Sequence, residues 1–149
     1  MNKPIVPVQK LREGAVLPRY GSAEAAGADL YACLGQGSVV FAPHETKMIP
    51  TGIAMEIPAG YVGLIYARSG IACKRGLAPA NKVGVIDSDY RGEILVALHN
   101  HTEDTRQIDD GERIAQLVIT PYLAVHFEQA QSLSDTVRGE GGFGSTGKK

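Results

Sequence analysis

Apolar and polar residues alternate in short runs along this chain, and glycine or proline ends nearly every run. In one run Ile94, Val96 and Leu98 share a face, which is the period of a half-buried strand. Pro121 predicts a bend that divides the last run into two strands, because proline cannot donate inside a ladder. Four runs are predicted to be strand regions: 45–58, 60–67, 92–100 and 113–127. Short strands punctuated in this way predict an all-β sandwich or closed barrel instead of βαβ units.

Helical signals are few. Residues 69–76, SGIACKRG, can form about two turns, with Ser69 as the N-cap and Gly76 ending the helix. Residues 22–26 predict a single turn. The composition becomes rich in glycine near the C terminus, so we expect one domain over residues 1–137, followed by a flexible arm over 138–149.

The composition is that of one globular domain, with 149 residues, 44% of them hydrophobic, and a net charge of −1. That charge predicts no basic surface, so we expect no stable binding to nucleic acid. No apolar run is long enough for a membrane span, and the first residues lack the apolar segment of a secretory signal. Cys33 and Cys73 are too few for a disulfide framework. We therefore expect a cytoplasmic protein with no membrane partner.

Residues 84–93, GVIDSDYRGE, predict a hairpin that presents Asp87 at the base of its turn. A calcium loop does not fit, because Arg91 and Leu98 stand where such a loop needs oxygen ligands. By itself the stretch is typical of a plain turn. The clustering of acidic residues with Tyr90 and an arginine also makes it a candidate for ligand binding.

Other polar positions are candidates for binding an anion or a metal. Ser69 and the amides after it stand at a predicted helix N terminus, which favours anions, although an ordinary cap is the simpler interpretation. Asp29 enters a predicted strand after a glycine, and the stretch GERIAQL places a further arginine and a glutamine in or beside a strand. His99 and His101 can face the same way and bind a metal, but no third ligand is evident, which favours exposed strand histidines.

The last residues combine several glycines with Arg138, Phe143 and a Ser-Thr pair. The G-x-x-x-x-G-K spacing from Gly142 to Lys148 is not a P-loop, because no helix follows to direct its amides at a phosphate. A disordered tail is one interpretation. The other is a segment that becomes ordered over a ligand, since the ring can stack, the guanidinium binds phosphate and glycine lets amides approach.

Five stretches, in this order, resemble the five motifs of the trimeric dUTP pyrophosphatase (dUTPase) family. They are AGADLYA (26–32), ARSG (67–70), NKVGVIDSDYRGE (81–93), GERIAQLVI (111–119) and RGEGGFGSTG (138–147). The resemblance covers nearly the whole chain. Ala67 departs from the family, in which proline is usual, and this changes backbone stiffness but not chemistry.

The resemblance implies a jelly-roll-like distorted β-barrel and a homotrimer with shared active sites. It also implies hydrolysis of dUTP to dUMP and pyrophosphate with Mg²⁺, which keeps uracil out of DNA and supplies dUMP for thymidylate synthesis. Asp87 would be the catalytic base, and Asp29 would hold the metal through water. Asn81 would contact uracil, Tyr90 would exclude a ribose 2′-hydroxyl, and Phe143 on the arm would stack on the base in a neighbouring subunit's site. The residues implied in substrate binding are Arg68, Ser69, Gly70, Asn81, Val85, Tyr90, Arg113, Gln116, Arg138, Phe143, Gly144, Ser145 and Thr146.

Three alternatives remain open. A dCTP deaminase shares the implied fold, but the VIDSDY and GFGSTG stretches argue against it. A binding or regulatory protein could keep the dUTP pocket without turnover, although all the implied catalytic residues are present. A purely structural β-sandwich leaves the polar clusters unexplained.

Overall fold

The computed structural model describes residues 4–142, and within them the chain forms twelve strands and one helix. The strands are short, as the closely spaced glycines and prolines predict. In chain order the elements are β1 Val8–Lys10, β2 Arg19–Tyr20, β3 Ala28–Tyr31, β4 Ser38–Phe41, β5 Thr46–Pro50, β6 Ile53–Met55, β7 Tyr61–Tyr66, α1 Ser69–Arg75, β8 Leu77–Pro79, β9 Gly84–Ile86, β10 Leu95–Asn100, β11 Arg106–Asp109 and β12 Arg113–Pro121.

All strand pairs are antiparallel, and they form four sheets. The largest has the order β2-β3-β12-β7-β9, and a second has the order β5-β10-β8. β1 pairs with β6, and β4 pairs with β11. The predicted all-β, jelly-roll-like class is therefore confirmed, although the ladders of residues 4–142 do not join into one closed barrel.

The alternating face of β10 lies in the core, as the sequence predicts. Val96 and Leu98 are 1% and 0% exposed, and Ile94 just before the strand is 1% exposed. Each fully buried aliphatic side chain contributes about 1.5–3 kcal/mol relative to exposure. Buried side chains from the other sheets and from β5 and β8 complete the core: Leu30, Phe41, Ile49, Ile53, Leu77, Ile108 and Ile114.

Residues 84–93 do not form the predicted hairpin. β9 pairs with β7, whereas β10 pairs with β5 and β8, so the segment between them crosses from one sheet to another. Alternation identifies a strand but not its partner, and consecutive strands are neighbours only roughly two-thirds of the time.

The predicted helix is present as α1, with a correction at its start. Gly76 has a left-handed φ of 66°, and its amide donates to carbonyls of the last turn, so it ends the helix as predicted. Ser69 is the first helical residue and not the N-cap. Arg68 occupies the cap position without a capping hydrogen bond, because a guanidinium has no acceptor for the helix amides; its Nε donates to Asp29.

The chain beyond β12 differs from the prediction. β12 ends at Pro121, and residues 122–142 contain no helix or strand, so the second strand expected there is wrong. Leu123, Phe127 and Leu133 in this segment are 91%, 90% and 88% exposed. These apolar side chains are not packed on their own chain. Among residues 4–142, no helix is long and apolar enough to span a membrane.

Candidate active site

A buried aspartate lies between two arginines at one end of the five-stranded sheet. Arg68 Nε donates to Asp29 Oδ1 at 2.6 Å, and Arg113 Nη1 lies 3.4 Å from Asp29 Oδ2. The side chains are 12% exposed at Asp29, 23% at Arg68 and 54% at Arg113. A guanidinium carries five N–H donors, and within residues 4–142 each of these arginines uses one. Asp29 thus orients two cations that keep donors for an anion.

Strand pairing brings Gln116 into the same cluster. On β12 it lies opposite Asp29 of β3 and opposite Tyr66 of β7. Its Nε2 donates to the carbonyl oxygen of Ala67 at 2.8 Å, immediately before Arg68. The register of β12 against β3 shifts just after Arg113, and such a bulge redirects nearby side chains. Three of the stretches predicted from sequence therefore meet at one place.

The start of α1 continues this cluster. Ser69 and Gly70 follow Arg68 directly and are exposed. The first amides of a helix have no intrahelical partner, so they present donors to solvent or to a ligand. The combination of guanidinium groups and helix-start amides is suited to a phosphate chain.

A narrow slot separates β8 from β9. Each is the edge strand of its own sheet, and no ladder joins the two in the part of the chain that the structure describes. The slot has a volume of about 80 Å³. Its lining residues include Pro79 from β8, Asn81 from the connecting loop, and Gly84 and Val85 from β9. Unpaired strand edges carry backbone donors and acceptors, so a flat polar ring can pair there as a strand would.

Asp87 lies just beyond β9, in a wider cleft of about 440 Å³ that shares Val85 with the slot. The Asp87 side chain is exposed. Arg91 Nη1 donates to the carbonyl oxygen of Ser88 at 2.7 Å, which fixes the turn. The cleft is also lined by Tyr122, which sequence analysis missed because only folding brings the end of β12 beside this turn.

Tyr90 is fastened to the backbone of its own loop. Its hydroxyl donates to the carbonyl oxygen of Glu93 at 2.9 Å, while its ring remains 43% exposed. The Glu93 carboxylate accepts from Gly52 N at 2.9 Å and from two nitrogens of Arg12. That hydrogen-bonded pair raises the pKa of Arg12. The loop carrying Asp87 is therefore tied to the β5–β6 turn and to the N-terminal segment.

Within one chain, Asp87 lies far from the arginine cluster. β9 pairs with β7 so that Ile86 is opposite Gly63, which places Asp87 beside the start of β7. Gln116 is opposite Tyr66 at the other end of β7 and on its other side. Four residues along a strand and two strand spacings across it correspond to about 15 Å. This separation exceeds the hydrogen-bond reach of both side chains.

The arm residues are only partly described. Arg138 is exposed, and its Nε donates to the carbonyl oxygen of Gly141 at 2.8 Å, so within the chain it is not part of the Asp29 cluster. Four predicted site residues lie outside the described residues: Phe143, Gly144, Ser145 and Thr146.

Three histidines lie close together at one end of the second sheet. The rings of His99 and His101 are 4.5 Å apart between centroids, and His44 is 6.4 Å from His99. Sequence analysis missed His44, which is distant in the chain. Burial lowers the pKa of His101, as do the neighbouring histidines and Lys82. No group of three or more histidine, cysteine, aspartate or glutamate side chains within residues 4–142 is arranged to hold a metal ion.

Comparison with known proteins assigns the family. The dUTPase family model matches residues 13–147. The deoxyuridine 5′-triphosphate nucleotidohydrolase of Hydrogenobaculum sp. is 50% identical over 142 residues, which cover 95% of this chain and 97% of that protein. The protein of the same name from Nautilia profundicola is 48% identical over 141 residues, with coverages of 95% and 97%.

Comparison with solved structures supports the same family. The dUTPase of Staphylococcus bacteriophage 80alpha with dUpNHpp matches with a TM-score of 0.89 and 32% identity, over 97% of this chain and 99% of that one. A mutant dUTPase from phage phi11 of S. aureus, described with a coordinated structural Mg(II) ion, matches with a TM-score of 0.77 and 28% identity, over 87% and 98%. The chain belongs to the dUTPase family and is a dUTP diphosphatase.

Proposed function

We propose that the chain hydrolyses dUTP to dUMP and pyrophosphate by attack of water on the α-phosphorus. This reaction keeps uracil out of DNA and supplies dUMP for thymidylate synthesis. The observation that carries the proposal is the slot between the edges of β8 and β9, which shares the lining residue Val85 with the cleft that contains Asp87. A base held in the slot leaves its sugar and α-phosphate near that carboxylate.

Uracil recognition follows from the slot. Backbone groups of β9, including that of Val85, and the Asn81 amide pair with the uracil edge. Cytosine is left mispaired, because its 4-amino group donates where uracil O4 accepts and its N3 accepts where uracil N3–H donates. The narrow volume of about 80 Å³ excludes the thymine methyl group by contact with the walls. Tyr90, fastened through its hydroxyl to Glu93, packs against the sugar and leaves no room for a 2′-hydroxyl.

Asp87 is the general base. Its carboxylate is exposed in the cleft, where it can accept a proton from a water molecule directed at the α-phosphorus. Such a base contributes on the order of 10²–10⁴ in rate. Hydrogen bonds from the Arg91 and Tyr90 side chains to backbone carbonyls hold the loop that carries Asp87. The loop is therefore in place before the substrate reacts.

The arginine cluster binds the phosphate chain. Arg68, Arg113 and Gln116, with the amides of Ser69 and Gly70, supply charge and N–H donors for oxygens that gain negative charge in the transition state. Mg²⁺, when bound with the triphosphate, neutralises part of its charge. Mg²⁺ keeps most of its water and needs few direct protein ligands. Asp29 fits this preference, because its oxygens already pair with two arginines and it would hold the ion through water.

The active site is shared between copies of the chain in a homotrimer. The separation of about 15 Å between Asp87 and Gln116 within one chain supports this, because both groups must reach the same nucleotide. Asp87 of one copy therefore works with the arginine cluster of another. The exposed apolar side chains of residues 122–142 also support it, since they lack a surface to cover on their own chain.

The C-terminal arm, 138–149, closes the site of a neighbouring copy, while residues 1–137 form the domain. Arg138, Ser145 and Thr146 bind phosphate oxygens, the Gly144 backbone approaches them closely, and Phe143 stacks on uracil. Arg138 is exposed and bonds to Gly141 O instead of joining its own chain's Asp29 cluster, which fits a role in another copy's site.

Pyrophosphate release from dUTP, dTTP, dCTP and UTP, each with Mg²⁺ and with excess chelator, tests the proposal. We expect release from dUTP alone, abolished by the chelator. Asp87→Asn should retain dUTP binding and lose turnover, while Asp109→Asn, an exposed aspartate on β11, should behave as the unmodified chain. Turnover retained in Asp87→Asn removes Asp87 as the base.

A further inference from the structure

Two glycines near the proposed site have ordinary backbone conformations. Several glycines in residues 4–142, among them Gly52 and Gly76, have left-handed φ angles that disfavour any side chain. Gly27 and Gly92 do not, so no left-handed φ angle disfavours a side chain at these positions. Their lack of a side chain therefore needs another explanation.

The explanation at Gly92 is the ring of Tyr90. A β-carbon added to Gly92 would overlap the Tyr90 hydroxyl oxygen and lie 2.6 Å from Cζ and 3.0 Å from Cε2. Contacts this close do not occur between real atoms, so the ring would have to move. It could not then keep the hydrogen bond of 2.9 Å from its hydroxyl to Glu93 O.

Gly27 has the same relation to Gln116. A β-carbon there would overlap the side-chain oxygen Oε1 and lie 3.1 Å from Cδ and 3.2 Å from Cβ of Gln116. The Gln116 amide is held by the hydrogen bond from Nε2 to Ala67 O, and displacement of Oε1 would turn it away from that carbonyl.

We infer that Gly27 and Gly92 are positioning residues, which keep open the spaces in which Gln116 and Tyr90 take their working orientations. The inference rests on the proposed roles of these two side chains. In both cases the closest atoms are at or near the end of a side chain that can rotate, so alanine displaces that side chain and leaves the fold intact. The contact of 3.2 Å with Gln116 Cβ requires in addition a backbone shift of a few tenths of an ångström at Gly27. The effect should therefore appear in catalysis and selectivity more than in stability.

A double-mutant cycle tests Gly92. Gly92→Ala should lower kcat/KM for dUTP about 10- to 100-fold, the range expected for a displacement near 1 Å, and should reduce the preference for dUTP over UTP. In a Tyr90→Ala background the same change should have no further effect beyond about twofold, because the space is then empty. Independent, multiplicative effects of the two substitutions would overturn the inference.

The same cycle with Gly27→Ala and Gln116→Ala tests the other position, with kcat as the readout. Gly21→Ala is the matched control, since Gly21 has no left-handed φ and an added β-carbon meets nothing within 4 Å. It should leave both parameters unchanged.

A failure of the proposed role of Tyr90 can be distinguished from a failure of the inference about Gly92. If Tyr90→Ala alone leaves dUTP selectivity intact, the role of Tyr90 in sugar recognition is wrong. A crystal structure of Gly92→Ala then decides the inference separately: a displaced ring supports it, and an unmoved ring with its hydroxyl on Glu93 O overturns it.

Discussion

Replacement of Asp29 by asparagine should weaken both the fold and the phosphate site. Asp29→Asn removes the negative charge that pairs with Arg68 at 2.6 Å and with Arg113 at 3.4 Å. Asparagine can still accept a hydrogen bond from one guanidinium but cannot balance two positive charges.

The magnitude follows from the exposure of each pair. The Arg68 pair is mostly buried, and a hydrogen bond to a charged group contributes about 1.5–3 kcal/mol. The Arg113 pair is more than half exposed on the arginine side, so it contributes less than about 1 kcal/mol. With partial compensation by the asparagine oxygen, Asp29→Asn should lower the free energy of unfolding by about 2 kcal/mol.

Urea unfolding at one fixed protein concentration measures this change, because assembly of copies makes stability depend on concentration. The dUTPase assay should show kcat/KM reduced on the order of 100-fold, since the two arginines lose the negative charge that holds them together in one orientation. Asp109→Asn, at an exposed position of β11, should change stability by no more than about 0.5 kcal/mol. Wild-type stability and kcat/KM in Asp29→Asn would refute the reasoning, because the two ion pairs would then contribute nothing.

Three further predictions concern other parts of the molecule. Asn100 is fully buried and donates to the carbonyls of Ala42 and Asp104, so Asn100→Asp should destabilise the protein by about 3 kcal/mol or more in urea unfolding. Hydrogen bonds from backbone amides, first that of Leu34, lower the pKa of Asp110 below its usual 3.8. Asp110→Ala should therefore destabilise the protein only slightly at neutral pH, because the carboxylate is exposed and screened, and in thermal melts the difference should shrink as pH falls through the lowered pKa. Deletion of residues 138–149 should leave a folded protein by circular dichroism but little dUTP turnover, and normal turnover would remove the arm from the mechanism.

The local properties of the chain were visible in its sequence. Alternation in 92–100 predicted the buried face of β10, and Gly76 predicted the end of α1, because both depend on neighbouring residues only. Five short stretches in order indicated the dUTPase family, which the family model and the relatives confirm. The individual roles of the site residues stay predictions.

Strand partners were not predictable in the same way. The hairpin expected at 84–93 is wrong because β9 is more favourably paired with β7, about twenty residues earlier in the chain, and that choice depends on how the whole core packs. The same tertiary pairing separates Asp87 from Gln116 and leaves the slot between β8 and β9 open.

The sequence by itself determined the all-β class, the strand faces, the position of the helix and the family. Only the tertiary structure decided which side chains meet: Asp29 with Arg68 and Arg113, and the Tyr90 ring over Gly92. The physical reason is that hydrophobic period and turn chemistry act over a few residues, whereas ion pairs and steric room depend on strands brought together from distant parts of the chain. The sequence does not distinguish a glycine required by its left-handed φ angle from one required because a neighbouring side chain occupies the position of its β-carbon. Only the fold distinguishes the two.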